Sequence, residues 1–415
     1  MMFTLVSKTI KTTQHHMVMY NHLFWLVVSA SAFIFPSIIP FCLLLFIVFP
    51  IEVNKVDIKA FRVLLPLFMA AVASGYERLN GTGDISKYII SFDYMNPELF
   101  FSLDHSVAYY YVYPIWYLLN AVVKSLGFSF EVVTFTCIYV AYYCLFKTLS
   151  SSFSERKNIL IIMAFICLFF SFPIVFSSYR TVTCLSIIGL GLAKVINDNS
   201  RGWLLCIIGL GIHPIGLVPI AILILSKFIV PSKKLLLVSI FLGLVMKPIL
   251  IHATAGLQAI PIIGGKISMY ISGEWGSYRF HEAGEYLLFL QLLLFSLFLI
   301  FMVMSSNKFN INFNFQSPYL KFCFTYLCIV LLFMSFRTIF IRLQLSGIVF
   351  FIPLLMYALR QNLYSKKLLV ILFLFVCIDI RTFMFFNYTS YQIGDGFPAN
   401  ILQPYIIELI GKNIS

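Results

Sequence analysis

Two side chains suited to binding an anion lie among apolar stretches of this sequence. Arg180 stands between two apolar runs, and His213 lies inside a third, followed by Pro214 and flanked by Gly211 and Gly216. An arginine at the centre of a bilayer costs at least about 2.5–3.5 kcal/mol on insertion scales, so a retained one suggests a functional site. Guanidinium groups are always charged and donate in a planar fork that matches phosphate oxygens. The pair predicts an anionic substrate at membrane depth.

Other polar residues gather between the apolar runs and extend this prediction. Arg337 and Arg342 lie between the apolar stretches 319–336 and 342–360, and their guanidinium groups suit the same anion. Arg342 is a second catalytic candidate beside Arg180, and Arg337 is a supporting residue. Asp93 is followed by Tyr94 rather than by a second carboxylate, and neither a P-loop nor an HExxH or GxSxG motif occurs. We therefore expect a reaction that uses no metal ion and no cofactor.

The elements that must position these groups are membrane helices. Of the 415 residues, 61% are hydrophobic and 11% are charged, with a mean hydropathy of +0.95. Apolar stretches long enough to span a bilayer recur along the chain, at roughly 23–50, 60–76, 129–148, 159–177, 180–196, 203–229, 235–253, 286–305, 319–336, 342–360 and 368–386. They predict an all-α polytopic integral membrane protein of about 10–12 transmembrane helices with re-entrant and interfacial segments. The net charge of +13 fits the basic cytoplasmic loops of such proteins, so we do not expect nucleic acid as a partner. Nine cysteines lie within the apolar runs and indicate neither disulfides nor a zinc site.

The distribution of lysine and arginine predicts which segments face outward. Residues 1–415 form a single transmembrane domain in this interpretation. With the six basic internal loops in the cytoplasm, the outer face carries a loop plus interfacial segment at 77–127, a loop at 254–285 and a tail at 387–415.

This topology requires two segments that do not cross the membrane. The tyrosine-rich stretch 108–127, interrupted by Pro114, would lie in the outer interface. The stretch 203–229, broken near His213, would enter and return as two half-helices. In the alternative, both stretches cross fully, which places Arg180 inside against the charge bias.

Several short motifs, in their order and spacing, resemble those of the Wzy-type repeat-unit polymerases, in particular the EpsG-like branch. The Gly81-Thr82-Gly83-Asp84 run with Tyr88 is similar to the family's Gly-Thr-Asp-x-x-x-Tyr motif, with an extra glycine before the aspartate. The other matching segments are Glu98-Leu99-Phe100, Arg180-Thr181-Val182, Gly211-Ile212-His213, Arg342 through Pro353, and Pro404-Tyr405. Pro214 stands where the family commonly has a polar residue.

The resemblance implies a membrane glycosyltransferase. Such an enzyme joins oligosaccharide units carried on undecaprenyl pyrophosphate at the periplasmic face of the bacterial inner membrane, making O-antigen or a related surface polysaccharide. Its catalytic candidates here are Arg180, His213, Arg342 and Asp84, with His213 or Asp84 as the base or orienting group. Its substrate-binding candidates are Arg337, Arg279, Tyr88, Glu98 and Tyr405.

Other functions remain open from the sequence. An O-antigen ligase uses the same donor, and a flippase or other transporter moves the same lipid-linked oligosaccharide; a purely structural membrane subunit is a third reading. A transporter favours an internal two-fold repeat and polar residues on both membrane faces, neither of which we find. The expected partners are the lipid-linked substrates, membrane lipid, a chain-length regulator and a flippase.

Overall fold

The computed structural model of the protein describes residues 21–35, 38–49, 52–74, 76–78, 84–103, 110–152, 159–160, 163, 178–257, 296, 318–336, 339–340, 343–344, 347, 350, 391–393 and 410. Within this part the regular secondary structure is helical except for one short two-stranded ribbon, which confirms the predicted all-α class. Two helical segments, Phe130–Thr148 and Tyr179–Ile196, are long and apolar enough to cross a membrane. The chain divides into two compact units.

The first unit consists of Met1–Val107, Leu118–Phe165 and Ser390–Ser415. It begins with helices α1 (Asn21–Ile34) and α2 (Ile38–Val48), where the sequence predicted one span over 23–50. Proline lacks an amide donor, so the pair Pro36 and Pro40 in the sequence favours two helices over one.

Helix α3 (Lys55–Ser74) begins at a hydrogen-bonded cap. The side-chain Oδ1 of Asn54 accepts from the amides of Val56 (2.7 Å) and Asp57 (3.0 Å), and the amide of Asn54 donates back to Asp57 Oδ2 (2.8 Å). The other oxygen of the buried Asp57 carboxyl accepts from the indole Nε1 of Trp25 (2.7 Å). This carboxyl therefore ties α1 to the start of α3, which packs along α7 (Phe130–Ser152).

A ribbon and three shorter helices complete the described part of this unit. Strand β1 (Tyr76–Arg78) pairs antiparallel with β2 (Tyr391–Ile393), so two segments that the sequence placed on the same membrane face meet. Helix α4 (Asp84–Asp93) precedes α5 (Pro97–Phe101). The Nζ of Lys124 donates to the carbonyls of Phe92 (2.8 Å) and Asp93 (2.6 Å) at the end of α4, where the negative end of the helix dipole favours a cation.

Lys124 belongs to α6 (Pro114–Ser125), the helix of the predicted interfacial stretch. Its first residues belong to the second unit and the rest to the first. Twelve residues extend about 18 Å, which is well short of the roughly 30 Å hydrocarbon core. A helix of this length cannot span the bilayer.

The second unit, Ala108–Tyr117 with Ile166–Thr389, holds five described helices beyond α6. They are α8 (Tyr179–Ile196), α9 (Arg201–Ile212), α10 (Leu217–Ser226), α11 (Lys233–Leu257) and α12 (Pro318–Leu332). Helices α8 and α9 form the most closely packed pair in the described part of the chain.

Glycines allow this close approach between α8 and α9. A Cβ at Gly202 would collide with the carbonyl of Gly191, and a Cβ at Gly209 would collide with the side chain of Ile188. Residue numbers increase along α9 in the direction in which they decrease along α8, so the two helices are antiparallel. The ends that carry Tyr179 and Ile212 therefore lie together, opposite the tight turn at 197–200.

Helices α11 and α12 run parallel to each other. The carbonyl of Leu331 contacts Gly243, and the Nζ of Lys247 lies over the ring of Phe336, so both sequences advance in the same direction. Helix α10 packs on α12 as well, and Lys321 Nζ donates to the carbonyl of Lys227, just beyond the end of α10 (3.1 Å).

Candidate functional site

The predicted break in the stretch 203–229 lies at His213. Pro214 disfavours helical φ/ψ in the residue before it, and His213 is extended (φ −156°, ψ 130°), so α9 ends at Ile212. One turn of 3₁₀ helix, Pro214–Gly216, follows before α10 begins. The carbonyl of His213 accepts from the amide of Gly216 (3.2 Å) and from the Sγ of Cys184 in α8 (3.2 Å).

The imidazole of His213 takes part in this break. Its Nδ1 accepts a hydrogen bond from the amide of Ile215 (3.1 Å), which satisfies a donor that the start of a helix leaves open. We assign the tautomer from this bond: in the neutral ring the proton is on Nε2. The half-buried side chain therefore presents a hydrogen-bond donor at Nε2 rather than a lone pair.

Arg180 lies in the first turn of α8, against two aromatic rings, one from the residue before α6 and one from the first turn of α6. Its guanidinium carbon is 4.6 Å from the ring centroid of Tyr113 and 5.7 Å from that of Trp116. Both distances are within the range of a cation–π interaction. These contacts hold the guanidinium against the faces of the two rings.

Tyr113 also contacts the histidine. Its ring centroid is 5.9 Å from that of His213, with the planes tilted by 36°. One aromatic side chain thus touches both Arg180 and His213, the two residues with which the sequence analysis began. The structure brings these two predicted site residues together around Tyr113.

Close packing holds the segment of Tyr113 in place. Trp116 is buried and its ring lies 5.7 Å from that of the buried Tyr179. Ile115 packs against Gly211, where an added Cβ would collide with its Cγ1. The start of α6 is therefore attached to the ends of both α8 and α9.

The cluster lies deep relative to the basic turn between α8 and α9. Fourteen residues separate Arg180 from Lys194, and twelve separate His213 from Arg201. At 1.5 Å per residue these stretches rise about 21 Å and about 18 Å, less than the roughly 30 Å of hydrocarbon. With one membrane surface at that turn, as the sequence predicts, both groups would lie within the thickness of the bilayer.

The remaining predicted site residues are placed only in part. Glu98 in α5 is exposed and Tyr88 in α4 is half-buried, both in the first unit. Asp84 begins α4, but its side chain lies outside the described residues. So do Arg279, Arg337, Arg342 and Tyr405. Among the described side chains, no three or more His, Cys, Asp or Glu residues converge as metal ligands.

Sequence reasoning did not single out Tyr113 and Trp116 among the aromatic residues of this segment. The usable signal was local: Tyr113 precedes Pro114, which favours an extended residue followed by a helix start. Trp116 comes three residues after Tyr113, and residues three apart in a helical turn lie next to each other on the helix surface. The sequence gives no sign that Arg180, more than 60 residues away, is their partner.

These observations define a helical protein with apolar, span-length helices, in which the Arg180 guanidinium and the His213 imidazole meet at the ring of Tyr113. The profile of the EpsG family matches residues 59–405, most of the chain. The chain belongs to the EpsG family, which makes it a membrane protein of polysaccharide biosynthesis. No curated protein and no solved structure matches it.

Proposed function

We propose that this protein is a membrane glycosyltransferase that polymerises oligosaccharide repeat units carried on undecaprenyl pyrophosphate. It acts at the periplasmic face of the bacterial inner membrane and makes O-antigen or a related surface polysaccharide. The observation that carries the proposal is the Arg180 guanidinium, held on the rings of Tyr113 and Trp116 beside the helix break at His213.

Arg180 stabilises the leaving group in this mechanism. Negative charge grows on the diphosphate as the glycosidic bond to it breaks, and a fixed cation in a dry site lowers that barrier. The aromatic rings already orient the guanidinium, so little reorganisation accompanies the reaction. Arg342 and Arg337 are proposed as further cations on the same diphosphate.

His213 donates a hydrogen bond in the same mechanism and does not take the proton. Its Nδ1 is occupied by the amide of Ile215, so the neutral ring offers Nε2–H to a diphosphate oxygen. Of the two groups that the sequence suggested as base or orienting group, this leaves Asp84 as the proposed base. The roles are distinct: one group donates to the leaving oxygen and the other accepts from the attacking one.

The bond changes are those of a direct displacement. The hydroxyl oxygen of the incoming lipid-linked unit forms a bond to the anomeric carbon of the growing chain, and its proton passes to Asp84. The bond from that carbon to the diphosphate breaks, and the electron pair leaves with undecaprenyl pyrophosphate. Arg279, Tyr88, Glu98 and Tyr405 are proposed to bind the oligosaccharides.

The membrane orientation in this proposal is supported by two features of the first unit and of α6. The ribbon joins Tyr76–Arg78 to Tyr391–Ile393, so an even number of crossings separates them. Apart from the stretches 108–127 and 203–229, the sequence predicts eight spans between these two strands. The total number of crossings is therefore even if both stretches cross or if neither does. Since α6 is too short to cross, a re-entrant 203–229 is favoured, and Arg180 then faces outward.

Reconstitution of the pure protein with a synthetic lipid-pyrophosphate oligosaccharide tests the proposal. A polymerase yields a ladder of glycans on one lipid, with one undecaprenyl pyrophosphate released for each unit added. A ligase needs lipid A core before any transfer, and a flippase moves the substrate without changing its length. Absence of both ladder and released carrier would overturn the proposal.

A further inference from the structure

A lysine that neither the sequence analysis nor the proposed mechanism uses lies in the middle of α11. Lys247 comes fourteen residues after Lys233 and ten before Leu257, which corresponds to about 21 Å and about 15 Å along the helix axis. Arg180 lies at the same axial distance from its own basic end, Lys194. The sequence predicts a membrane span over 235–253, and an ionisable group this far inside such a span is costly and is retained chiefly for function.

The position of Lys247 on α11 directs it toward protein rather than lipid. One face of the helix exposes apolar side chains at helical spacing, as a lipid-facing surface does: Leu237, Val238, Phe241, Leu244, Val245 and Ile249. The opposite face buries Leu236, Ser239 and Gly243. Half-buried Lys247 continues that second face, four residues beyond Gly243.

The Lys247 amine lies over one aromatic ring. Its Nζ lies 6.0 Å from the ring centroid of the buried Phe336, just after the end of α12. Phe336 immediately precedes Arg337 in the sequence. In the described part of the second unit the one carboxylate is Asp198, which follows the end of α8 at the basic turn. Among the described residues of this unit, therefore, no carboxylate lies on the helical turns around Lys247.

We infer that Lys247 is a substrate-binding residue whose ammonium holds a phosphate oxygen of the lipid-linked donor or acceptor. This inference rests on the proposed function and adds a cation from α11 to those proposed on α8 and at positions 337 and 342. An ammonium is a compact point charge with three donors, suited to a phosphate that approaches from different directions. The contact with the ring of Phe336 helps to orient the ammonium.

A phosphate in this place has two sources, the diphosphate of the carrier lipid and the headgroup of a bilayer phospholipid. Binding measurements in nanodiscs separate them. The full-length protein is titrated with farnesyl pyrophosphate and with farnesol in phosphatidylcholine nanodiscs, and phospholipid retained by the protein is quantified by native mass spectrometry in discs that contain phosphatidylglycerol.

The variants are Lys247→Gln, Lys247→Arg and, as a matched control, Lys234→Gln, which removes the same charge from an exposed position on the same helix. We expect Lys247→Gln to weaken farnesyl pyrophosphate binding by about tenfold to a hundredfold, the loss of a charge-assisted hydrogen bond. Farnesol binding stays unchanged, Lys247→Arg retains most of the affinity, and Lys234→Gln behaves as the native protein. Equal thermal melting of the variants shows that folding is not the cause.

Unchanged pyrophosphate affinity in Lys247→Gln overturns the inference. So does a loss of retained phosphatidylglycerol with normal pyrophosphate binding, which assigns Lys247 to bilayer lipid. Because these readouts are binding, they are independent of the ladder assay: a native protein that binds farnesyl pyrophosphate through Lys247 but makes no polymer contradicts the proposed reaction and leaves the binding site standing.

Discussion

The guanidinium of Arg180 lies 4.6 Å from the centre of the Tyr113 ring, and this contact joins a membrane helix to a segment too short to be one. The cation comes from the first turn of α8, and the ring comes from the residue before α6. The contact holds the guanidinium against the residue that precedes α6. Under the proposed function Tyr113 is a positioning residue, because it acts on the substrate through Arg180.

Two substitutions of Tyr113 distinguish the contribution of the aromatic ring from that of its hydroxyl group. Tyr113→Phe keeps the aromatic face, so we expect kcat/KM to stay within about threefold of the native value. Tyr113→Leu removes the face, and the loss of a partly desolvated cation–π contact of about 2 kcal/mol predicts a drop of roughly thirtyfold in kcat/KM. Tyr94→Leu, at an exposed tyrosine of the first unit, is the control. Equal activity of the Phe and Leu variants would show that the ring does not orient Arg180.

Two substitutions of His213 distinguish a hydrogen-bond donor from a base. His213→Asn keeps an acceptor for the amide of Ile215, because asparagine caps helix starts well, but it does not reach the position of Nε2. His213→Gln reaches that position with an amide N–H that donates and cannot take up a proton. We expect Gln to retain activity within about tenfold, and Asn to lose about a hundredfold while its melting temperature is kept. Abolished turnover in the Gln variant, with intact folding, would make His213 the base after all.

The contact between Gly211 and Ile115 allows a rescue experiment. Gly211→Ala places a Cβ against the Ile115 side chain, which pushes the start of α6 away from Arg180 and His213. We expect a fall in kcat of about tenfold or more, since displacement of a positioning group by an ångström has large effects. Ile115→Ala in the same chain removes the colliding Cγ1 and restores part of the rate. Ile207→Ala, at an exposed position of α9, controls for a general effect of truncation. If the double variant does not recover kcat, the contact between residues 211 and 115 is not important for activity.

The bond between Trp25 and Asp57 predicts an effect on stability without one on chemistry. Trp25→Phe leaves one oxygen of a buried carboxylate without its 2.7 Å donor, which costs about 1.5–3 kcal/mol. Thermal unfolding in detergent should show a lower melting temperature, with glycan ladders unchanged for the fraction that remains folded. Phe24→Leu, at a neighbouring exposed ring, should leave the melting temperature near the native one. A melting temperature of Trp25→Phe equal to the native one would contradict the role of this bond.

Local chemistry made much of this architecture predictable. Pro214 beside two glycines indicated the break at His213, and Pro114 indicated that the tyrosine-rich stretch is divided. Both follow from the geometry of a single residue. The division of the first apolar stretch into α1 and α2 was not predicted, because hydropathy reports length and composition rather than helix continuity.

Less of the site than of the fold could be predicted from the sequence. Arg180 and His213 stood out as ionisable groups in apolar surroundings, and Asp84 and Glu98 through short motifs. The contact of Arg180 with Tyr113 is a tertiary pairing across more than 60 residues, which no local pattern encodes. The sequence shows Lys247 as a lone charge in a long apolar run. Only its position on the buried face of α11 distinguishes it from a lysine whose side chain extends to the membrane surface.

The most direct test of the account compares two arginines at opposite ends of the α8–α9 pair. Arg180→Ala and Arg201→Ala remove the same charge, the second from an exposed position at the basic turn. In reconstituted membranes supplied with lipid-pyrophosphate oligosaccharide, the rate of undecaprenyl pyrophosphate release should fall by about 10²–10³ in Arg180→Ala and stay near native in Arg201→Ala. Native rates and chain lengths in Arg180→Ala would contradict the claim that this arginine stabilises the departing diphosphate.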